Sequence, residues 1–114
     1  MILKEVLFKA SDLKSKTLLI NKDYLQEKFI TLGQIKSIYK YNVRIVDKEE
    51  IEKAVNEQNP DKAYFYIVFF KLLRNIYIIT AEGGDVIYAA HHSDNCHRNI
   101  LTEGDLKKMS FKLK

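Results

Sequence analysis

Hydrophobic and polar positions alternate irregularly along most of the chain, but from Ala63 to Phe70 the sequence reads AYFYIVFF with no polar residue, Gly or Pro. β-branched and aromatic side chains of this kind fit a pleated, half-buried surface, and the shortness of the run favours a strand over a buried helix. At a sheet edge such a run would invite aggregation, so a central strand is predicted. A second strand pattern covers Ile76 to Thr80 and a third covers Val86 to Ala90, with Glu82-Gly83-Gly84-Asp85 between them. A two-residue Gly-Gly turn meets the positive-φ demand of a type I′ hairpin. That turn would pair Ala81 with Val86, Ile79 with Tyr88 and Tyr77 with Ala90, placing those six residues on one face.

Helical signals are sharpest after Val46. Asp47 reads as an N-cap, Glu50 as its capping-box partner, and Val46 with Ile51 as a hydrophobic staple. Glu49, Glu50 and Glu52 suit the positive end of the helix dipole. Ile51, Ala54 and Val55 form the inward face, and Asn59-Pro60 supplies the stop, which predicts a helix over 48–58. Upstream, Thr17 to Ile20 reads as a buried strand and Asn21 as the cap of a helix carrying Leu25, Phe29 and Leu32 on one side. Gly33 would end or kink that helix, and Gln34 to Tyr39 would add a turn or two with Ile35, Ile38 and Tyr39 inward. Residues 42–46 read as another strand and 5–8 as a short N-terminal one. Thr102 caps a last helix holding Leu106 and Met109, with Leu101 and Leu106 as its staple. The elements predict one α+β domain over 1–114, with a single-layer, mostly antiparallel sheet of four to five strands. About three helices should pack mainly on one face. Strands 43–46 and 63–70 are expected to form a parallel pair joined by a right-handed crossover.

Charge changes this picture little. The 114 residues carry 19 Lys/Arg against 15 Asp/Glu, a net +4. Residues 1–45 hold nine basic against four acidic residues, 46–62 three against six, and 63–114 seven against five. This modest excess describes a solvated surface, whereas nucleic-acid binding calls for a denser basic stripe. Cys96 is the only cysteine, so an intramolecular disulfide is excluded. That fits a reducing, cytoplasmic setting, or an exported or periplasmic one if a leader has been trimmed. No apolar run approaches the roughly 18 residues of a transmembrane helix.

Three segments carry candidate chemistry. His91, His92, Asp94, Cys96 and His97 are all metal-ligand types within seven residues, and a transition metal is the cofactor they would hold. Their spacing matches no metal motif with a mechanism, and a polar strand end is the competing reading. A nucleophilic pair of Cys96 with a histidine is a further alternative. Tyr64, Tyr66, Tyr77 and Tyr88 form the second candidate, because a tyrosine-rich sheet face presents an apolar body with a wet tip to a ligand or partner. Both sides of 63–70 are apolar, and three short helices cover one side more readily than two. Lys36, Lys40 and Arg44, interleaved with Tyr39 and Tyr41, are the third, suited to phosphates and bases but also to a plain basic edge. Gly83-Gly84 opens no helix and is not a phosphate loop; Glu82 and Asp85 read as turn residues.

The succession of Val43 to Ile51 (VRIVDKEEI), Ala63 to Val68 (AYFYIV) and Ala81 to Tyr88 (AEGGDVIY) resembles small uncharacterised bacterial α+β domains, of the domain-of-unknown-function type and often exported. The closing hairpin is similar to that of PepSY-type domains, which are associated with binding or inhibition of partners at the cell envelope. The resemblance spans about residues 43–90, rests on structural signals, and implies no catalytic activity. With no catalytic constellation recognised, the expectation is a small non-enzymatic binding or interaction module, exported or envelope-associated. Its partner would be a protein or a second copy in a homodimer. A metal-dependent protein built on 91–97 is the rival reading, and nucleic-acid binding through the basic N-terminal region the third.

Overall fold

The computed structural model describes residues 13–26, 30–70, 73–93 and 100–112. Among the described residues five strands form one sheet: β1 (Thr17–Asn21), β2 (Val43–Val46), β3 (Lys62–Phe70), β4 (Leu73–Thr80) and β5 (Val86–Ser93), in the order β2-β1-β3-β4-β5. Three α-helices accompany them there: α1 (Leu32–Ile38), α2 (Lys48–Asn56) and α3 (Glu103–Lys112). The protein is therefore α+β, but the sheet is mixed rather than mostly antiparallel. β1 runs parallel to both neighbours, with Leu18 opposite Val43 on one side and Ala63 on the other. Only β3-β4 and β4-β5 are antiparallel. The expected pairing of 43–46 with 63–70 does not form, because β1 lies between them. A buried four-residue strand carries no sequence mark of its partners, so its central place was not legible.

This order explains where the helices go. From β1 the chain steps one way through α1 to β2, then back across β1 through α2 to β3. Crossovers of one hand that step in opposite directions put their helices on opposite faces. Accordingly Leu18, Ile20, Ala63, Phe65 and Ile78 pack with Ile35 and Tyr39 of α1 and with Leu106 and Met109 of α3. Leu19, the residue between Leu18 and Ile20, packs instead with Val46, Ala54 and Ala81, against which Ile51, Val55 and Tyr64 also lie. The helices thus divide between the faces.

Local signals decide the helix ends. Asp47 accepts from the Glu50 N–H at 2.9 Å, as predicted, while the Glu50 carboxylate turns to Arg44 at 2.9 Å and does not close the box. α2 stops at Asn56, where Gln58 adopts φ 51° and the amides of Gln58 and Asn59 donate to Val55 and Ala54 at 3.0 and 3.1 Å. These two bonds satisfy carbonyls the helix end would leave open, with Gln58 rather than Asn59 in the left-handed position. Asn21 does act as a cap, but of a single 3₁₀ turn, Lys22–Tyr24. α1 begins only at Leu32, behind a reciprocal box in which Gln34 N–H donates to Thr31 Oγ1 and Thr31 N–H to Gln34 Oε1. Gly33 thus sits in the first turn of α1, and Leu32 is 45% exposed, not inward. Phe29 and the strand predicted over 5–8 lie outside the described residues.

α3 follows its predicted pattern: Thr102 and Asp105 cap reciprocally, and Leu101, Leu106 and Met109 are buried. The β4-β5 hairpin departs from its predicted register. Gly83 and Gly84 do take positive φ, 82° and 67°, but within a five-residue connection over 81–85 that Thr80 closes. The Thr80 amide donates to the Asp85 carbonyl at 2.8 Å, and its hydroxyl bonds both Glu82 O and Asp85 N. Ile79 then faces Val86, Ile78 faces Tyr88 and Tyr77 faces Ala89, with the irregularity falling at Ile87. An inserted residue of this kind moves every later side chain to the other face.

Candidate binding site

Alternation along β3 creates the site. Phe65 and Ile67 turn to the α1/α3 face and are buried, while Tyr64 and Tyr66 turn to the α2 face. Tyr64 is half-buried under α2, whereas Tyr66 is 44% exposed. Tyr77 lies opposite Tyr66 in the β3-β4 ladder and is half-buried. Tyr88 does not join them. It is on the α1/α3 face, 3% exposed, because of the hairpin register, and its hydroxyl is pushed up to about 12 by burial and then by the charge of Asp105. Three of the four predicted tyrosines therefore share a face and the fourth belongs to the core.

The sheet opens beside this row. β1 pairs with β3 only as far as Leu19 opposite Tyr64; beyond that the chain leaves into the Lys22–Tyr24 turn. The Tyr24 hydroxyl then accepts from the Ile67 N–H at 3.3 Å, taking the place of a backbone partner on the edge that β1 has left. Between the two strands lies a cleft of about 560 Å³. Ile51 and Val55 of α2 form an apolar wall, Lys48, Glu52 and Asn56 recur every fourth residue along its exposed rim, and Tyr24, Tyr64 and Tyr66 stand opposite with Asn21 at the end of β1.

Burial raises the pKa of Tyr24 against the opposing hydrogen bond from Ile67, and the nearby Tyr66 hydroxyl and Asp23 carboxylate add to it. Tyr64 is raised by burial and then by Tyr66. Tyr24 and Tyr64 are thus donors throughout the neutral range, each within electrostatic reach of Tyr66. A second depression, of about 420 Å³, lies along α2 between Glu49, Glu50, Lys53 and Glu57 and is charged of both signs.

The remaining candidates fare differently. His91 and His92 fall in β5, at positions paired with Asn75 and Arg74, and Asp94, Cys96 and His97 lie outside the described residues. Among the described residues no three His, Cys, Asp or Glu are grouped to hold a metal. Of the basic edge, Arg44 is paired with Glu50, and Tyr39 is buried with its hydroxyl unpartnered, so it offers no ring to a base. Tyr41 is exposed, stacked edge-on against Tyr39 with Lys14 Nζ 5.9 Å from its ring, while Lys36 and Lys40 are solvated.

Two features have no clear signal, or an easily overlooked one, in the sequence. Asn21 reads locally as a helix cap, Tyr24 as part of the helix it would start, and Lys48, Glu52 and Asn56 as helix surface, and nothing near them marks them as cleft residues. Arg74, outside the predicted strand 76–80, is buried on the α1/α3 face, where its guanidinium forks onto Asp105 with both N–O distances 2.8 Å and also reaches the Ile100 carbonyl. Here a signal exists: Arg74, Ile76, Ile78 and Thr80 alternate on the core side of one strand. Among the described residues no helix is long and apolar enough to cross a membrane. No protein-family model, curated protein or solved structure matches the chain.

Proposed function

We propose that the protein is a non-enzymatic binding module that takes its ligand in the cleft between β1 and β3, with the Tyr64, Tyr66 and Tyr77 row as the adjoining contact surface. The observation that carries this reading is the divergence of β1 from β3 under α2, which leaves an apolar-walled cleft edged by three phenols. Such concave, mainly apolar sites with a few convergent polar groups are the usual form of small-molecule pockets, and the volume falls within their range of roughly 300–1,000 Å³. Binding is favoured over catalysis because the Tyr24 and Tyr64 hydroxyls, raised by burial, are poor proton acceptors near neutrality. Amide chemical-shift mapping with a fragment set of mixed acids, bases and neutral aromatics tests it. Fragments should shift the amides of Tyr24, Lys48 to Asn56 and Tyr64 to Tyr66 saturably. Shifts scattered over the surface, or confined to the face of α1 and α3, would overturn the reading.

A further inference from the structure

The two ends of this cleft differ in hydrogen-bonding character. Asn21 ends β1 opposite Val46, two residues before Lys48, so Lys48 at the start of α2 belongs to the same end of the cleft as Asn21 and Tyr24. The side-chain oxygen of Asn21 already accepts from the Asp23 N–H at 2.9 Å, and the hydroxyl oxygen of Tyr24 already accepts from the Ile67 N–H at 3.3 Å. Each still brings a donor to the cleft: an amide NH₂ from Asn21 and an O–H from Tyr24. Lys48 supplies three more donors and a positive charge, and it forms no ion pair with a described residue. The Tyr66 hydroxyl is near enough to raise the pKa of Tyr24. Below this end the lining becomes Ile51, Val55 and the Tyr64 ring, an apolar slot, with Glu52 and Asn56 on its rim.

We infer that the cleft takes a small organic carboxylate, its anionic head among Lys48, Asn21, Tyr24 and Tyr66 and its apolar body along Ile51, Val55 and Tyr64. The inference rests on the binding reading above and adds the chemistry of the ligand. A carboxylate accepts about four hydrogen bonds and donates none, which matches an end that offers an ammonium, an amide NH₂ and two phenol O–H groups. A positively charged head would meet Lys48 and those same donors. Phenol O–H groups strengthen the match, because O–H bonds to an ionised acceptor are short and roughly twice as strong as neutral ones. Glu52, a turn further along, disfavours a second negative charge on the ligand body, so the preference is for a monoanion.

Three isosteric probes separate the possibilities: 3-phenylpropionate, 3-phenylpropan-1-ol and 3-phenylpropylamine, titrated against the full chain with amide chemical shifts as readout. The acid should bind at the cleft at least about tenfold more tightly than the alcohol, about the value of one charge-assisted contact, and the amine more weakly still. Lys48→Gln, at an exposed position, should remove most of that margin by weakening the acid more than the alcohol, and Tyr66→Phe should remove part of it. The inference falls if the alcohol or the amine matches the acid, or if Lys48→Gln leaves acid binding intact. In that outcome neutral or basic fragments still mapping to the cleft keep the binding module, whereas loss of all cleft binding removes both.

Discussion

Neighbouring residues of β3 show how differently the two faces of this sheet are built. Phe65 is 1% exposed beneath α1 and α3, and one residue later Tyr66 is 44% exposed on the α2 face. The first face is sealed by two helices and is closed at its far end by a buried Arg74-Asp105 pair, both side chains under 5% exposed. Among the described residues the second has one helix, the nine-residue α2, packed with Leu19, Val46 and Tyr64, and Tyr66 lies at the surface beside it. A helix spans about 10 Å across, roughly two strands at their 4.8 Å spacing, so α2 by itself covers only part of a five-stranded face. The α1/α3 face holds the larger core cluster, and the α2 face keeps an exposed aromatic ring.

The largest way to break this contrast is to unpair the buried ion pair. Asp105→Ala removes the carboxylate onto which the buried Arg74 guanidinium forks and also the partner of the Thr102 amide. A loss of about 3–5 kcal/mol is expected in urea unfolding, since removing one partner of a buried ion pair costs far more than the intact pair contributes. Arg74→Met with Asp105→Leu should recover most of it; a single-variant loss below about 1 kcal/mol would mean that solvent reaches the pair.

Next comes the contrast within β3 itself. Phe65→Ala should cost about 3 kcal/mol through lost burial and a cavity, while Tyr66→Ala should stay within about 1 kcal/mol. Equal effects in chemical unfolding would show that the two faces are equally packed and that Tyr66 is a core residue.

The smallest effect is a titration. The Tyr88 hydroxyl is raised from 10.0 to about 12 by burial and by Asp105, and burial raises Tyr39 further still. For a group raised on folding, the neutral form is favoured in the native state, so its contribution is full below pH 10 and is lost as pH rises through the folded value. Stability should therefore decline between about pH 10 and pH 12, and Tyr88→Phe should flatten part of that decline. An unchanged slope in Tyr88→Phe, followed by thermal unfolding against pH, would place the Tyr88 hydroxyl in water.

Legibility in the sequence tracks the range of the interactions. The caps at Asp47 and Thr102, the Val46-Ile51 staple, the β3 run and the left-handed glycines of the last hairpin are set by groups within about five residues of one another, and each is found. The helix predicted from Asn21 is not, because Thr31 and Gln34 form a complete cap ten residues later and Asn21 closes a single turn instead. The register of the last hairpin differs from its prediction for a similar reason. Gly83 and Gly84 satisfy a two-residue turn, but the Thr80 hydroxyl, bonded to Glu82 and Asp85, holds a longer one. That difference moves Tyr88 from the expected binding row into the core.

The sequence by itself determined that this is an α+β chain with a doubly apolar central strand, and that tyrosine would sit where the sheet meets either core or solvent. Only the tertiary structure decided which. Placing β1 between β2 and β3 sends α1 and α2 to opposite faces, and the end of β1 pairing at Leu19 opens the cleft that Tyr24, Tyr64 and Tyr66 line. Strand order is a contest among long-range pairings whose backbone bonds are all alike, and no local pattern of side chains records its outcome.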